Sequence, residues 1–151
     1  MKKILLVLAA LFLVTACSST GGAIKGSLTD GAVVSNIELT EKEGKVVSAK
    51  EVTTIEMAQA DFDADYTDMY KQFSAFKSAD GESSFAYEYK DGKAVFTVTV
   101  DFTVIPAVDP ARHLYSKLTE TGISTILTSA DVDFSTEAIK TLLTEAKFEI
   151  K

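Results

Sequence analysis

The sequence predicts an α+β fold: an antiparallel sheet from two β-hairpins, packed on one face by about three helices. Three observations carry this expectation. The stretch "SSFAYEYKDGKAVFTVTVDFTV" alternates apolar and polar residues on both sides of an Asp-Gly pair. An earlier β-branched stretch folds about a glycine in "TEKEGKVV". Between and after them, apolar residues recur at helical spacing. Period-2 alternation marks half-buried strands, and a 3.6-residue period marks amphipathic helices.

Along the chain, Val33, Ile37 and Leu39 take alternate positions over 33–40, which predicts the first strand. Gly44 turns the chain, and 46–57, rich in Val, Thr and Ile, forms the partner strand. Its imperfect alternation leaves the register open, with a bulge or a longer turn as alternatives. Residues 61–76 predict a helix, because Tyr66, Met69, Tyr70, Phe73 and Phe76 make one apolar stripe. Acids crowd its start, where the helix dipole favours them. "SADGESS" breaks the chain.

Asp91-Gly92 is a two-residue hairpin signal of type I′. Pairing about it sets Tyr89 against Ala94, Tyr87 against Phe96 and Phe85 against Val98. Turn chemistry and hydrophobic pattern therefore select the same register. Pro106 ends this strand. Asp109-Pro110 supplies an N-cap and a proline at the first helical position, predicting a helix to about Thr121 with Gly122 as its stop. Residues 123–127 are apolar and short, and they fit a strand, a turn or a helical extension. Ser135 caps a last helix, with Glu137 in its first turn and the apolar face Ala138, Ile139, Leu142, Leu143 and Ala146. Phe148 and Ile150 follow as an apolar tail expected to pack back on the core.

The N-terminus has a different character. Lys2 and Lys3 precede an apolar run from Ile4 to Val14. That run is too short for a bilayer span of ~20 residues and has the length of an export-signal core. Val14, Thr15 and Ala16 then lead into Cys17, the single cysteine of the chain. An aliphatic residue, two small ones and Cys resemble a bacterial lipobox, whose thiol accepts a diacylglyceryl group. This predicts a signal peptide over 1–16, with Cys17 as the lipidated first residue of the mature chain. Ser18 follows, which fits outer-membrane sorting in a diderm and the outer face of the plasma membrane in a monoderm. Residues 17–31 carry four of the eight glycines and read as lipidated Cys and flexible linker. The remaining 32–151 read as a single α+β domain.

Composition narrows the function. The formal charge is −7, and loss of Lys2 and Lys3 with the leader takes the mature chain to −9. With no basic cluster, nucleic-acid binding is disfavoured. With Cys17 acylated, no thiol remains for disulfides, Cys–Zn sites or Cys catalysis. His113 is the one histidine and there is no tryptophan. No Walker motif, dinucleotide-binding glycine pattern or zinc-ligand spacing is present, and no cofactor is implied.

Three constellations remain. "DFDADYTDMYKQ" opens as D-x-D-x-D, the start of a calcium loop, with Asp61, Asp63 and Asp65 as candidate metal ligands. Tyr66 stands where the turn wants Gly, and Gln72 where a bidentate Glu is wanted. Acidic capping of a helix is the plainer account, with a weak calcium contact as the alternative. Asp109, His113 and Ser116 share one face of a predicted helix, but a working triad draws its members from different elements. Tyr66, Tyr70, Tyr87, Tyr89 and Tyr115 fit a core better than a ligand groove.

The lipobox, the first hairpin "EGKVVSAKE", the middle helix, the Tyr-rich second hairpin and the tail "LLTEAKFEIK" together resemble the YehR-like family of small bacterial lipoproteins. The resemblance covers essentially the whole mature chain. It implies a lipid-anchored α+β domain of no established activity, so Cys17 alone carries over as a functional residue. One departure is Lys147, where family members often place a glycine before the phenylalanine. The expected function is a non-enzymatic binding or interaction module of the cell envelope. It would be held to the membrane by lipid and engage an envelope protein or a small ligand. An enzyme or enzyme accessory acting on an envelope substrate, or a weak Ca²⁺-binding protein, is the alternative.

Overall fold

The computed structural model describes residues 21–65, 84–103, 122–129 and 133–151. Their elements are β1 (Ala23–Asp30), β2 (Val33–Lys42), β3 (Lys45–Glu56), α1 (Gln59–Asp65), β4 (Ser84–Lys90), β5 (Lys93–Asp101), α2 (Gly122–Thr128), α3 (Thr136–Glu145) and β6 (Glu149–Ile150). The strands form one six-stranded sheet in the order β4-β5-β3-β2-β1-β6, antiparallel throughout. The α+β class is as expected, but the sheet is larger than two hairpins.

The segment expected to be a flexible linker is in large part a strand. β1 pairs with β2 along its whole length, from Ala23 opposite Thr40 to Asp30 opposite Val33. The folded sheet thus begins at Ala23 rather than near Ala32. Its glycines hid the alternation of Ile24, Gly26 and Leu28. Gly26 occupies an inward position because space there is short: a Cβ would lie 2.8 Å from Ile150 Cδ1 and 3.0 Å from Ile37 Cγ2. A residue type that usually marks a loop here admits β6 and β2 side chains close to the backbone.

The two expected turns are present. Glu43 and Gly44 have φ of 54° and 77°, and Asp91 and Gly92 have 53° and 78°. Positive φ at both central residues is the type I′ signature, whose twist matches that of the flanking strands. The β4–β5 register is the one the turn chemistry selects: Tyr89 faces Ala94, Tyr87 faces Phe96 and Phe85 faces Val98. The ambiguity in β3 resolves as a shift between Thr40 and Glu41 in its pairing with β2. β3 then pairs with β5 from Ser48–Asp101 to Glu56–Lys93, joining the two halves of the sheet.

One sheet face is apolar. Ile37 and Leu39 of β2, Ala49 of β3, and Ala94, Phe96, Val98 and Val100 of β5 are buried there. Ile123, Ile126 and Leu127 of α2 join the same cluster, as do Ile139 and Leu143 of α3. Each fully buried aliphatic or aromatic side chain contributes about 1.5–3 kcal/mol. The apolar segment 123–127 is therefore helical and belongs to the core. Phe148 is buried and Ile150 packs on the cluster, as the tail pattern predicts. The expected helix over 61–76 is described only through α1, and the expected helix over 109–121 lies outside the described residues.

Lys147 explains the departure noted in the tail. It has φ 67°. Its N–H donates to Thr144 O (2.9 Å), and the Phe148 N–H donates to Leu143 O (2.9 Å). These two bonds form a Schellman motif, whose left-handed position usually holds glycine. The side chain of Lys147 is therefore accommodated at a conformational cost. Lys147→Gly is expected to raise stability by about 1 kcal/mol, read as a higher urea midpoint with an unchanged slope.

Candidate functional site

Among the described residues, the apolar face holds one carboxylate. Glu51 lies on β3 between Ile37 of β2 and Val98 of β5, and only 1% of it is exposed. A charge so placed must be matched by donors. Ser35 Oγ donates to Glu51 Oε1 at 2.5 Å. The Gly122 N–H donates to Oε1 at 3.0 Å, and the Ile123 N–H to Oε2 at 2.7 Å. With its own hydrogen on Glu51, Ser35 Oγ accepts from Thr53 Oγ1 at 3.2 Å. An ionised carboxylate only accepts hydrogen bonds, and donors point at both of its oxygens. Two of those donors are orphan N–H groups of the first turn of α2, where the helix dipole also favours negative charge. The cluster fastens α2 to the middle of the sheet.

Sequence reasoning missed this cluster, although a signal was present. Ala49, Glu51 and Thr53 take alternate positions of β3 and all point inward. Glu and Thr on a buried face are what made the alternation of this strand look imperfect.

The opposite sheet face meets solvent. The register brings Lys25, Glu38 and Lys50 into one row across β1, β2 and β3, with Asn36 and Val52 in the next. These residues, with the backbone of Gly26 and Ile37, line a shallow concavity of about 300 Å³. Lys25 Nζ is 4.0 Å from Glu38 Oε2, and both side chains are more than half exposed. An exposed pair at that distance contributes little to stability, so these charges remain available to a bound molecule.

The described tyrosines belong to the inner face. The Phe62 ring centroid lies 5.5 Å from that of Tyr89, 6.1 Å from Tyr87 and 6.3 Å from Phe96. Tyr89 Oη donates to Met57 O at 2.8 Å, which satisfies the polar end of a half-buried ring. Tyr66, Tyr70 and Tyr115 lie outside the described residues.

Among the acids of the candidate calcium motif, Asp61 and Asp63 are exposed on α1, and Asp65 is its last residue. Helical geometry turns residues two apart by about 200°, so Asp61 and Asp63 leave the helix on opposite sides. Among the described residues, no three His, Cys, Asp or Glu gather around a common point. Cys17, Asp109, His113 and Ser116 lie outside the described residues. No described helix is long and apolar enough to cross a membrane.

Among the described residues, two exposed carboxylates, Asp133 and Glu56, are held below the usual range. The backbone and then the side-chain hydrogen bond from Ser135 hold Asp133 down, with burial opposing and the Lys45 charge assisting. Ser135 donates to it through N–H at 2.9 Å and Oγ at 2.8 Å. The residue expected to cap α3 is thus itself bound by the acid two positions earlier, and its side chain makes no cap bond. Glu56 is lowered first by its hydrogen bond with Lys93 and then by that charge, at 2.9 Å. Both groups organise turns and strand ends.

No family model matches the chain, and no curated protein matches it in sequence. Two solved structures resemble it. The NMR structure of the Escherichia coli YehR protein is 18% identical, with a TM-score of 0.58 over 86% of this chain and 90% of that one. The NMR structure of a protein from Streptococcus pneumoniae TIGR4 is 13% identical, with a TM-score of 0.54 over 100% of this chain and 97% of that one. At these identities the likeness concerns the fold, and the fold of this chain is YehR-like.

Proposed function

We infer that this chain is a cell-envelope lipoprotein whose sheet serves as a non-enzymatic binding module. Lipid on Cys17 attaches it to the membrane, and the solvent-facing side of β1, β2 and β3 takes a small polar ligand or a segment of an envelope partner. The observation that carries the reading is the concavity lined by Lys25, Asn36, Glu38 and Lys50. It offers two ammonium groups, one carboxylate and one amide on a rigid sheet, which suits a zwitterionic or hydroxyl-rich molecule. The buried carboxylate, by contrast, has donors on both oxygens and holds a helix. That use supports binding over catalysis.

Two measurements test the reading. Cells fed an alkyne analogue of palmitate are expected to label the wild-type chain and not Cys17→Ala. A thermal-shift screen of the chain from Ser18 onward, against envelope metabolites and divalent cations, tests binding. A ligand at about 100 times its Kd adds about 2.7 kcal/mol, which raises the midpoint of a domain this size by several degrees. Lys50→Ala is expected to abolish the shift while leaving the unliganded midpoint nearly unchanged. A shift that survives Lys50→Ala and Asn36→Ala together places the ligand elsewhere.

A further inference from the structure

The register orders the solvent face of the sheet in rows. Val34, Thr54 and Val95 share one row across β2, β3 and β5, and Asn36, Val52 and Thr97 share the next. Thr29 and Ser27 of β1 extend these two rows. The middle of the face is therefore uncharged and rich in β-branched side chains. Val34 is 39% exposed, the one large apolar side chain left so open among the described residues. Charges stand on either side. Lys25, Glu38 and Lys50 form the row toward the Glu43-Gly44 turn, and Glu56 and Lys93 the row toward the Asp91-Gly92 turn. Lysines and acids nearly balance over these rows, although the chain as a whole carries −7. A neutral face does not repel its own copy. The described helices contribute to the core on the opposite face. In the strand order β4-β5-β3-β2-β1-β6, the midline of the sheet falls between β3 and β2.

We propose that the partner of this face is a second copy of the chain, packed sheet on sheet about a two-fold axis that runs along the strands between β2 and β3. The proposal rests on the reading of this face as a binding surface and names its partner. Because the axis is the midline of the sheet, β2 covers β3 of the second copy, β1 covers β5 and β6 covers β4. The sheets then overlap over about 24 Å by about 27 Å. That footprint, about 650 Å² before side-chain relief, is comparable with the ~800 Å² per partner of stable complexes. Row by row, Val34 meets Thr54, Asn36 meets Val52 and Thr29 meets Val95. Glu38 meets Lys50 once in each direction, so Lys50 of the second copy closes on the concavity. The remaining charges meet uncharged positions. Lys25 lies over Thr99, and Asp101 over Ala23. Glu149 lies over Ala86, and Lys151 over Ser84. Glu56 and Lys93 lie over the Gly31-Ala32 turn, while Glu88 and Lys90 lie past the end of β6. Lys42 and Lys45 share the far hairpin tip with Glu41 and Glu43. At about 20 Å from the centre, the angle of about 30° between packed sheets moves the two tips about 10 Å apart sideways. The same axis brings both β1 starts to one end of the dimer, so two Cys17 lipids enter one bilayer. An axis across the strands would send them to opposite ends.

The test uses the full-length protein in detergent, with micelles in excess over chains, and reads its mass by sedimentation velocity. The wild type is expected to sediment as a dimer. Lys50→Glu sets a carboxylate against Glu38 of the second copy, and Glu38→Lys sets an ammonium against its Lys50. Each variant alone is expected to sediment as a monomer. An equimolar mixture of the two is expected to return to the dimer, because all four facing positions then carry opposite charges. Recovery on mixing also shows that both variants are folded. A monomeric wild type, or a dimer that survives either reversal, overturns the proposal. So does a mixture that stays monomeric while both variants keep the wild-type thermal midpoint. The thermal-shift screen separates the two ideas. A monomeric wild type whose ligand shift needs Lys50 refutes the second copy and leaves the face a ligand surface. A monomeric wild type with no such shift refutes both.

Discussion

Glu51→Ala is expected to lower stability by about 3–5 kcal/mol, the cost typical of removing one partner from a buried charged network. The loss has identifiable parts. The Gly122 and Ile123 N–H groups lose their acceptor. An unsatisfied buried donor costs about 1–3 kcal/mol. Ser35 keeps Thr53 as a partner and is harmed less. Glu51→Gln separates charge from shape. Its amide has one oxygen and one NH₂, so one of the two backbone N–H groups meets a donor in place of an acceptor. The expected cost is smaller, about 2 kcal/mol. Urea denaturation of both variants checks this order. A Gln variant as unstable as the Ala variant would assign the effect to charge alone. If neither variant loses stability, α2 is not fastened through this carboxylate. Hydrogen exchange gives a second readout, since the Gly122 and Ile123 amides should lose protection before the β2–β3 amides do.

Phe96→Ala is expected to cost about 3–5 kcal/mol, the range for removing a buried aromatic ring. Phe96 is 1% exposed at the middle of β5. Phe62 of α1 stacks near it, with Tyr87 opposite on β4. The cavity would lie under α1, a short helix that contributes Phe62 as its buried residue. Phe62→Ala and Phe96→Ala are therefore expected to be non-additive, with a coupling of about 0.5–3 kcal/mol. Once either ring is gone, the other has already lost part of its packing. Additive losses in a double-mutant cycle would show that α1 is held by other contacts.

These expectations bear on function. If the solvent face of β1, β2 and β3 binds a ligand, its geometry depends on a sheet whose other face is fixed by Glu51 and Phe96. Variants at those two positions should weaken binding only as far as they unfold the domain. Lys50→Ala should do the reverse, removing binding at little cost in stability. That contrast distinguishes residues that shape the sheet from residues that meet the ligand.

The sequence by itself determined the features governed by neighbours along the chain. Asp91-Gly92 and the alternation around it set the β4–β5 register, because a type I′ turn and a period-2 pattern act over a few residues. The periodicity of Ile139, Leu142 and Leu143 marked α3 for the same reason. The apolar run over 4–14 ahead of Cys17 is likewise a local pattern. The tertiary structure decided what depends on distant partners. β1 is a strand because β2 and β6 pair with it, although Gly26 and the glycines that flank the strand argue locally for a flexible linker. β3 sits beside β5, across the segment that separates the two hairpins in sequence. Glu51 points inward because its donors lie 71 and 72 residues further along the chain. Local rules place a glutamate on the wet face of a strand, and only a helix end brought across the core makes the dry face the better place for it.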